Sequence, residues 1–256
     1  MAREIALDPG FAEALVAGDA SGPQSTSDAI IRAAEKLFTE KGYHGTRMTE
    51  VARLADVSIG SIYVHYESKE GLYGALVARA LEIEARYVDA VLDDPDSPDL
   101  EKVISLGEAY LQFFREHPAY FRMLMVPFED IPQEALENPT TKQVSERGAR
   151  QVARLAEAIA NCIEQGVMRP SINPEQAAHF WWAAWNGIIS LTMRSDQLAL
   201  TDAEMEKVVI EGRLMIAEGM ASQVLRDEDG RMHVQLRERL KKLRSEVVPP
   251  AEVSAE

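Results

Sequence analysis

Residues 46–69, TRMTEVARLADVSIGSIYVHYESK, leave the chain few choices of local structure. Met48, Val51, Ala52 and Ala55 recur at helical spacing and form one apolar face. Thr46 reads as the cap of that helix, its hydroxyl accepting the amide of Met48 or Thr49, with Glu50 suited to the positive helix end. The pattern breaks at Asp56 and Val57. Ser58 offers a second cap, and Ile62 and Tyr66 repeat four residues apart on a second helix. Ala52 is small enough to let that helix cross closely. Ser68 caps a third, longer helix on which Leu72, Leu76 and Ala80 begin an amphipathic pattern. Two short helices about a tight turn form a helix-turn-helix. Periodicity alone leaves open a helical hairpin inside an ordinary all-α protein.

In a helix-turn-helix that reads DNA, the second helix enters the major groove and its early residues meet base edges. Here those are Ile59, Gly60 and Ser61, followed by Tyr63 and His65. Gly60 lets the backbone approach closely, and Tyr63 and His65 can donate to phosphate oxygens. Lys69 stands at a helix N-terminus, where amides and an ammonium together hold a phosphate. The ordered run Ala33-Ala34-x-x-Leu37-Phe38-x-x-x-Gly42-Tyr43, then Thr46, Val51-Ala52, Ala55-x-Val57-Ser58-x-Gly60-Ser61-Ile62-Tyr63-x-His65-Tyr66 and Ser68-Lys69-Glu70-x-Leu72 resembles the N-terminal domain of the TetR/AcrR transcriptional repressors over residues 28–76. The resemblance implies three N-terminal helices for DNA, a larger all-helical domain for dimerisation and ligand, and no catalysis. By position it implies DNA-facing roles for Arg47, Thr49, Ile59, Gly60, Ser61, Tyr63, His65 and Lys69, with Thr46 near the backbone. Two residues depart from the family pattern. Ile59 replaces a residue that is often polar or basic; it can touch a thymine methyl but cannot bond to guanine. Gly71 replaces a helix-favouring Glu.

A formal charge of −15 weighs against DNA until its distribution is read. Residues 28–72 carry six Lys/Arg against seven acidic residues and are near neutral, so most of the negative charge lies elsewhere. Binding then rests on a few placed cations, Arg47, Arg53, Lys69 and Lys41, rather than a broad field. No apolar run is long enough to span a bilayer, and no secretory signal is visible at the N-terminus, so a cytoplasmic protein without membrane attachment is expected. The single cysteine, Cys162, reads as a helical core residue.

The expected fold is all-α. Residues 1–24 read as a flexible tail, 25–72 as the helix-turn-helix domain, 73–228 as a helical effector-binding and dimerisation domain, and 229–256 as an extra C-terminal amphipathic helix and tail. The first helix covers 28–42, closed by Gly42 as a left-handed cap. The linker helix runs from Lys69 to about Leu92. Residues 128–140 read as a loop and a candidate lid over a pocket. The segment 174–194, with Phe180, Trp181, Trp182, Trp185, Ile188, Ile189 and Leu191, is apolar nearly all round and so must bury more than one side. On the following helix Val208, Gly212, Met215 and Gly219 share one stripe; the resemblance makes these, with Ile188, a homodimer interface, although an intrachain core stripe would show the same spacing. Leu236, Leu240 and Leu243 recur on the last helix among Arg237, Arg239, Lys241, Lys242 and Arg244, a basic face expected to be solvated, with docking on the acidic body as the electrostatic alternative.

There is no glycine-rich phosphate loop, nucleophile elbow or His-Glu-x-x-His motif, and the five histidines lack ligand spacing; neither enzyme activity, metal nor cofactor is expected. Tyr110, Phe114, Phe121, Met125, His179, Trp181, Trp185 and Asn186 are candidate lining for an effector pocket, suited to a hydrophobic or aromatic small molecule. The expected function is a homodimeric repressor released from a palindromic double-stranded DNA operator by such a molecule. The alternatives are a DNA-binding regulator without a small-molecule inducer, or an all-helical enzyme or scaffold that does not bind DNA.

Overall fold

The computed structural model describes residues 25–125 and 139–242, without the side chains of residues 139–141 and 143–145. The expected N-terminal tail, most of the loop at 128–140, Leu243, Arg244 and the C-terminal tail lie outside the described residues. Among those described, regular structure is helical: α1 Thr26–Gly45, α2 Met48–Ala55, α3 Ile59–Tyr66, α4 Lys69–Leu92, α5 Asp99–Glu116, α6 Pro118–Leu124, α7 Pro139–Glu164, α8 Pro174–Thr192, α9 Asp202–Met220, a 3₁₀ turn Gln223–Leu225, and α10 Val234–Lys242. They fall into two compact units, residues 25–81 with 122–125 and 139–144, and residues 82–121 with 145–242. The chain passes between them within α4, within α6 and within α7.

In the first unit, Ser25 caps α1 by accepting the Asp28 amide at 3.2 Å, and Ile30, Ile31, Ala34, Leu37 and Phe38 form its buried face. Gly42 sits at φ 70° and ψ 176°, a conformation that other residues adopt only with strain; it breaks the regular helix where expected, but with an extended ψ in place of the left-handed cap. Thr46 departs from its expected role. Only 2% exposed, it caps nothing; its hydroxyl donates back to the Leu37 carbonyl at 3.0 Å and the Gly42 carbonyl at 2.9 Å. The regular helix breaks at Gly42, and the hydroxyl placed beside that break gives the Gly42 carbonyl a partner while sharing its proton with Leu37. Arg47 occupies the N-cap of α2 and makes no side-chain cap bond. Asp56 turns the chain at φ 54°, Ser58 caps α3 by accepting the Ser61 amide at 3.0 Å, and Ser68 accepts the Gly71 amide at 3.1 Å. Val51, Ile62, Leu72 and Leu76 are fully buried, and Phe38, Tyr43 and Tyr73 pack ring to ring.

In the second unit, Thr201 and Glu204 form a reciprocal capping box at the start of α9. Phe113, Phe121, Leu111, Ile159, Ile189 and Leu240 are its largest fully buried groups. Cys162 lies among them, and burial pushes its thiol up to about 11, so it stays a thiol at neutral pH. Gly107 is required by packing: a Cβ there would stand 2.8 Å from the Trp185 indole.

The C-terminal helix is amphipathic, with its basic face exposed as expected and its apolar face packed on the body. Leu240, 1% exposed, joins Leu214 and Met232 in a cluster with Ile104, Ile210, Ala217 and Leu236 around it. Arg213 on α9 donates to the Leu240 carbonyl at 2.7 Å and pairs with Glu108 on α5 at 2.5 Å, all three groups being buried. The basic face remains outside: Arg237, Arg239, Lys241 and Lys242 are exposed, and Arg239 meets Glu101 of the acidic body at 2.6 Å. Apolar burial and charge complementarity therefore act on opposite faces of one short helix.

Candidate nucleic-acid interface and effector cleft

Helix α3 has two faces set by its sequence. Ile62 and Tyr66 point inward, the Tyr66 hydroxyl lying 2.7 Å from the Ser27 hydroxyl. The opposite face is open: Ile59, Gly60, Tyr63 and His65 are exposed and Ser61 is half-exposed, its hydroxyl 2.9 Å from that of Ser58. A Cβ at Gly60 would meet its nearest neighbour at an ordinary 3.6 Å, so packing within the chain does not demand glycine there. Arg47 and Thr49 are exposed at the start of α2. Lys69 is half-buried, its ammonium 4.5 Å from the Tyr43 ring centre, and burial draws its pKa down. Tyr43 in turn donates to Glu70 at 2.6 Å. Lys41 is engaged with Glu50 at 2.7 Å, which leaves Arg47, Arg53 and Lys69 as the nearby cations on this side. Buried Thr46 stands apart from this exposed set. The pattern missed Val64, 82% exposed in the middle of α3, since an apolar β-branched residue in a helix ordinarily signals a core position.

Of the eight candidate effector residues, four come together. Tyr110 on α5 donates to the Asn186 Oδ1 on α8 at 2.7 Å, and Tyr110, Trp181 and Trp185 line a narrow cleft with Glu84, Val88, Leu106, Gln151, Val152, Leu155 and Trp182. Phe114 and Phe121 pack edge to face on each other, and Phe121 does the same on Tyr110; they support this wall from behind rather than line the cleft. His179 is exposed, with Nδ1 2.8 Å from the Glu175 carbonyl, and Met125 is half-buried just beyond α6; neither lines the cleft. Glu84 is the polar group that periodicity did not single out. It is 5% exposed, and Gln151 donates to its Oε2 at 2.8 Å. Burial pushes its carboxyl up to about 7, against smaller lowering effects of Gln151 and Arg147. A second narrow cleft lies against α10, walled by Val103, Ile104, Trp181, Met232 and Leu240, with Arg213 as its charged group. Among the described residues, no group of three His, Cys, Asp or Glu is placed to hold a metal ion, and no helix is long and apolar enough to cross a membrane.

Residues 30–76 match the family profile of bacterial regulatory proteins of the tetR family, and residues 103–210 match the tetracyclin repressor-like C-terminal domain. The chain belongs to the TetR family. This TetR-family protein is a DNA-binding transcriptional regulator, all-helical, with an N-terminal helix-turn-helix and a helical C-terminal portion. It is 26% identical over 152 residues to the HTH-type transcriptional repressor KstR2 of Mycobacterium tuberculosis strain H37Rv, covering 59% of this chain and 73% of that one. Over 198 residues it is 25% identical to the HTH-type transcriptional regulator RutR of Escherichia coli K12, covering 72% and 88%. Its fold is similar to that of AibR, solved in complex with isovaleryl coenzyme A and operator DNA, with a TM-score of 0.56 at 21% identity over 76% of this chain and 95% of that one.

In this TetR-family chain, the stripe read as a dimer face points out of the second unit. Met215 is 67% exposed, Val208 and Gly219 are exposed, and Gly212 is half-buried, while Val209 on the neighbouring stripe faces the core. Ile188, Gly212, Met215 and Gly219 share an open groove between α8 and α9, bordered by the exposed Phe180; Val208 lies outside that groove.

Proposed function

We propose that this regulator is a homodimeric repressor that holds a near-palindromic operator through paired α3 helices and releases it when a hydrophobic or aromatic small molecule occupies the cleft around Tyr110, Trp181 and Trp185. The observation that carries the DNA half is the division of α3: two anchors bury completely, while Ile59, Gly60, Ser61, Tyr63 and His65 stay available on one short helix. Arg47, Thr49 and Lys69 flank that face and would fix it on the phosphates. Two such helices fit successive major grooves about 34–36 Å apart. The outward stripe Val208, Gly212, Met215 and Gly219, with Ile188, supports pairing: two glycines and a flexible methionine let helices of two copies approach closely. The co-complex of the similarly folded AibR with an acyl-coenzyme A and operator DNA supports placing both activities on one chain of this architecture. The reading includes no catalytic step and places the protein in the cytoplasm.

Release requires a ligand that prefers one conformation. Reversing a 99:1 population takes roughly 5.5 kcal/mol of differential affinity. Helix α4 is the natural carrier, because it starts at Lys69 beside the DNA-facing residues and carries Glu84 and Val88 into the cleft wall. Selection of duplexes from a random pool by the purified protein, at two salt concentrations, tests the reading. An enriched palindrome is expected. An active, dimeric sample that enriches nothing overturns it.

A further inference from the structure

We infer that the effector of this regulator carries a protonated nitrogen on an apolar body, and that Glu84 is the group that receives it. The inference rests on reading the cleft between α4, α5, α7 and α8 as the effector site. A carboxylate in a cleft walled by Val88, Leu106, Leu155 and three tryptophans is costly to keep charged, and proteins ordinarily pair such a group with a cation. The nearby cations are committed elsewhere. Arg147 lies 3.6 Å from Asp89, and Arg154 pairs with Asp89 at 2.5 Å and with Asp93. Among the described residues, the hydrogen bond to Glu84 comes from Gln151, a neutral amide. A pairing role is therefore open inside the cleft.

The walls have the same preference. Indole and phenol faces attract cations through their negative quadrupole, and Tyr110, Trp181, Trp182 and Trp185 supply them on two helices. An anionic ligand would face Glu84 with no lining cation to offset it. A neutral hydrocarbon would fill the cleft but leave the carboxylate unpaired. The cleft is narrow, so a ligand that enters it must be compact and the side chains around Glu84 must part to seat it. Burial lifts the Glu84 carboxyl to about 7, so at neutral pH the empty site holds part of a proton. The groups that face or act on it are Gln151 and Arg147 on α7, Asp89 on α4, and Tyr110 on α5. A cation that seats on the carboxylate displaces that proton, so binding is linked to proton release.

Three probes of one shape separate these cases: 1-naphthylmethylamine, 1-methylnaphthalene and 1-naphthoic acid. Each is titrated calorimetrically into the full chain and into Glu84→Gln, with the fold of the variant checked by circular dichroism and thermal melting. The amine is expected to bind the wild type at least about tenfold more tightly than the hydrocarbon, the acid weakest of all. In Glu84→Gln the preference should shrink to within about twofold. Repeating the amine titration in buffers of different ionisation enthalpy should show proton release at pH 7 in the wild type and none in the variant. Equal binding of amine and hydrocarbon, a preference that survives in Glu84→Gln, or no binding of any probe overturns the inference. Displacement of selected operator DNA is scored separately. Amine binding through Glu84 without displacement would leave the pairing standing and remove the release mechanism. Displacement by the hydrocarbon alone would do the reverse.

Discussion

Gly71 shows how one residue can look like a weakness in a sequence and be a requirement in a fold. By helix propensity, Ala in its place should gain about 1 kcal/mol. The structure decides otherwise. A Cβ at Gly71 would lie 2.1 Å from the Tyr66 carbonyl oxygen, a backbone atom that cannot swing aside. Overpacking of this kind costs about 1–3 kcal/mol and outweighs the propensity gain, so Gly71→Ala is expected to lower stability in urea unfolding. Glu84 gives a second residue-scale expectation. Its folded carboxyl titrates at about 7 against an ordinary 4.5, so the native state binds the extra proton. Stability is therefore fullest below about pH 4.5, falls as pH rises toward about 7, and levels off above that. The total is on the order of 3 kcal/mol. Glu84→Gln should flatten this part of the profile and leave the variant more stable than wild type at pH 8. Gln151, Arg147, Asp89 and Tyr110 are the neighbours that tune the value. Neither residue was legible in advance, because the cause in each case is an atom brought close by folding: a carbonyl for Gly71, an apolar wall for Glu84.

At the scale of elements, α10 is the part whose position was least expected. Its leucine spacing marked an amphipathic helix, but spacing does not say what an apolar face meets. Here it meets α5 and α9, and the Arg213–Glu108 pair braces the junction by reaching the Leu240 carbonyl. A buried pair contributes modestly when intact but costs heavily when halved. Arg213→Leu leaves the Glu108 carboxylate buried with Arg115, 3.7 Å away, as its remaining partner. It is expected to lose about 3 kcal/mol or more in equilibrium unfolding. The double variant with Glu108→Leu should recover most of that loss. An additive double variant would mean that the pair is not coupled. The helix-turn-helix behaved differently: the caps at Ser58 and Ser68, the inward Ile62 and Tyr66, and the positive φ of Gly42 all stand where their residue types place them. These features are local and depend on neighbours within a few positions.

At the scale of the molecule, two properties meet: an outward apolar stripe on α9 and a strongly acidic chain with a near-neutral DNA-facing segment. If the stripe joins two copies, Met215→Asp places unpaired charges at the seam. Sedimentation should then show a monomer, and affinity for a selected palindrome should fall by at least about a hundredfold, while the isolated chain keeps its helical content. A dimeric variant with unchanged affinity would move the interface elsewhere. Three cations per copy flank the DNA-facing side, so the dimer would neutralise about six phosphates. The logarithm of its operator affinity should then fall with the logarithm of salt at a slope of about −5.

The sequence by itself determined what depends on short separations. It set the helix limits within a few residues, the caps at Ser58 and Ser68, the division of α3 into an anchored and an open face, and the family the chain belongs to, because each rests on residue types at fixed spacing. Tertiary structure alone decided what depends on distant atoms meeting. It turned Thr46 back onto the carbonyls of α1, set Tyr110 against Asn186, left His179 outside the cleft, buried Glu84 in the cleft wall and docked α10 on the body. Hydrophobic periodicity reports that a side chain will be buried, but burial is non-directional, and the partner is chosen only when the helices pack.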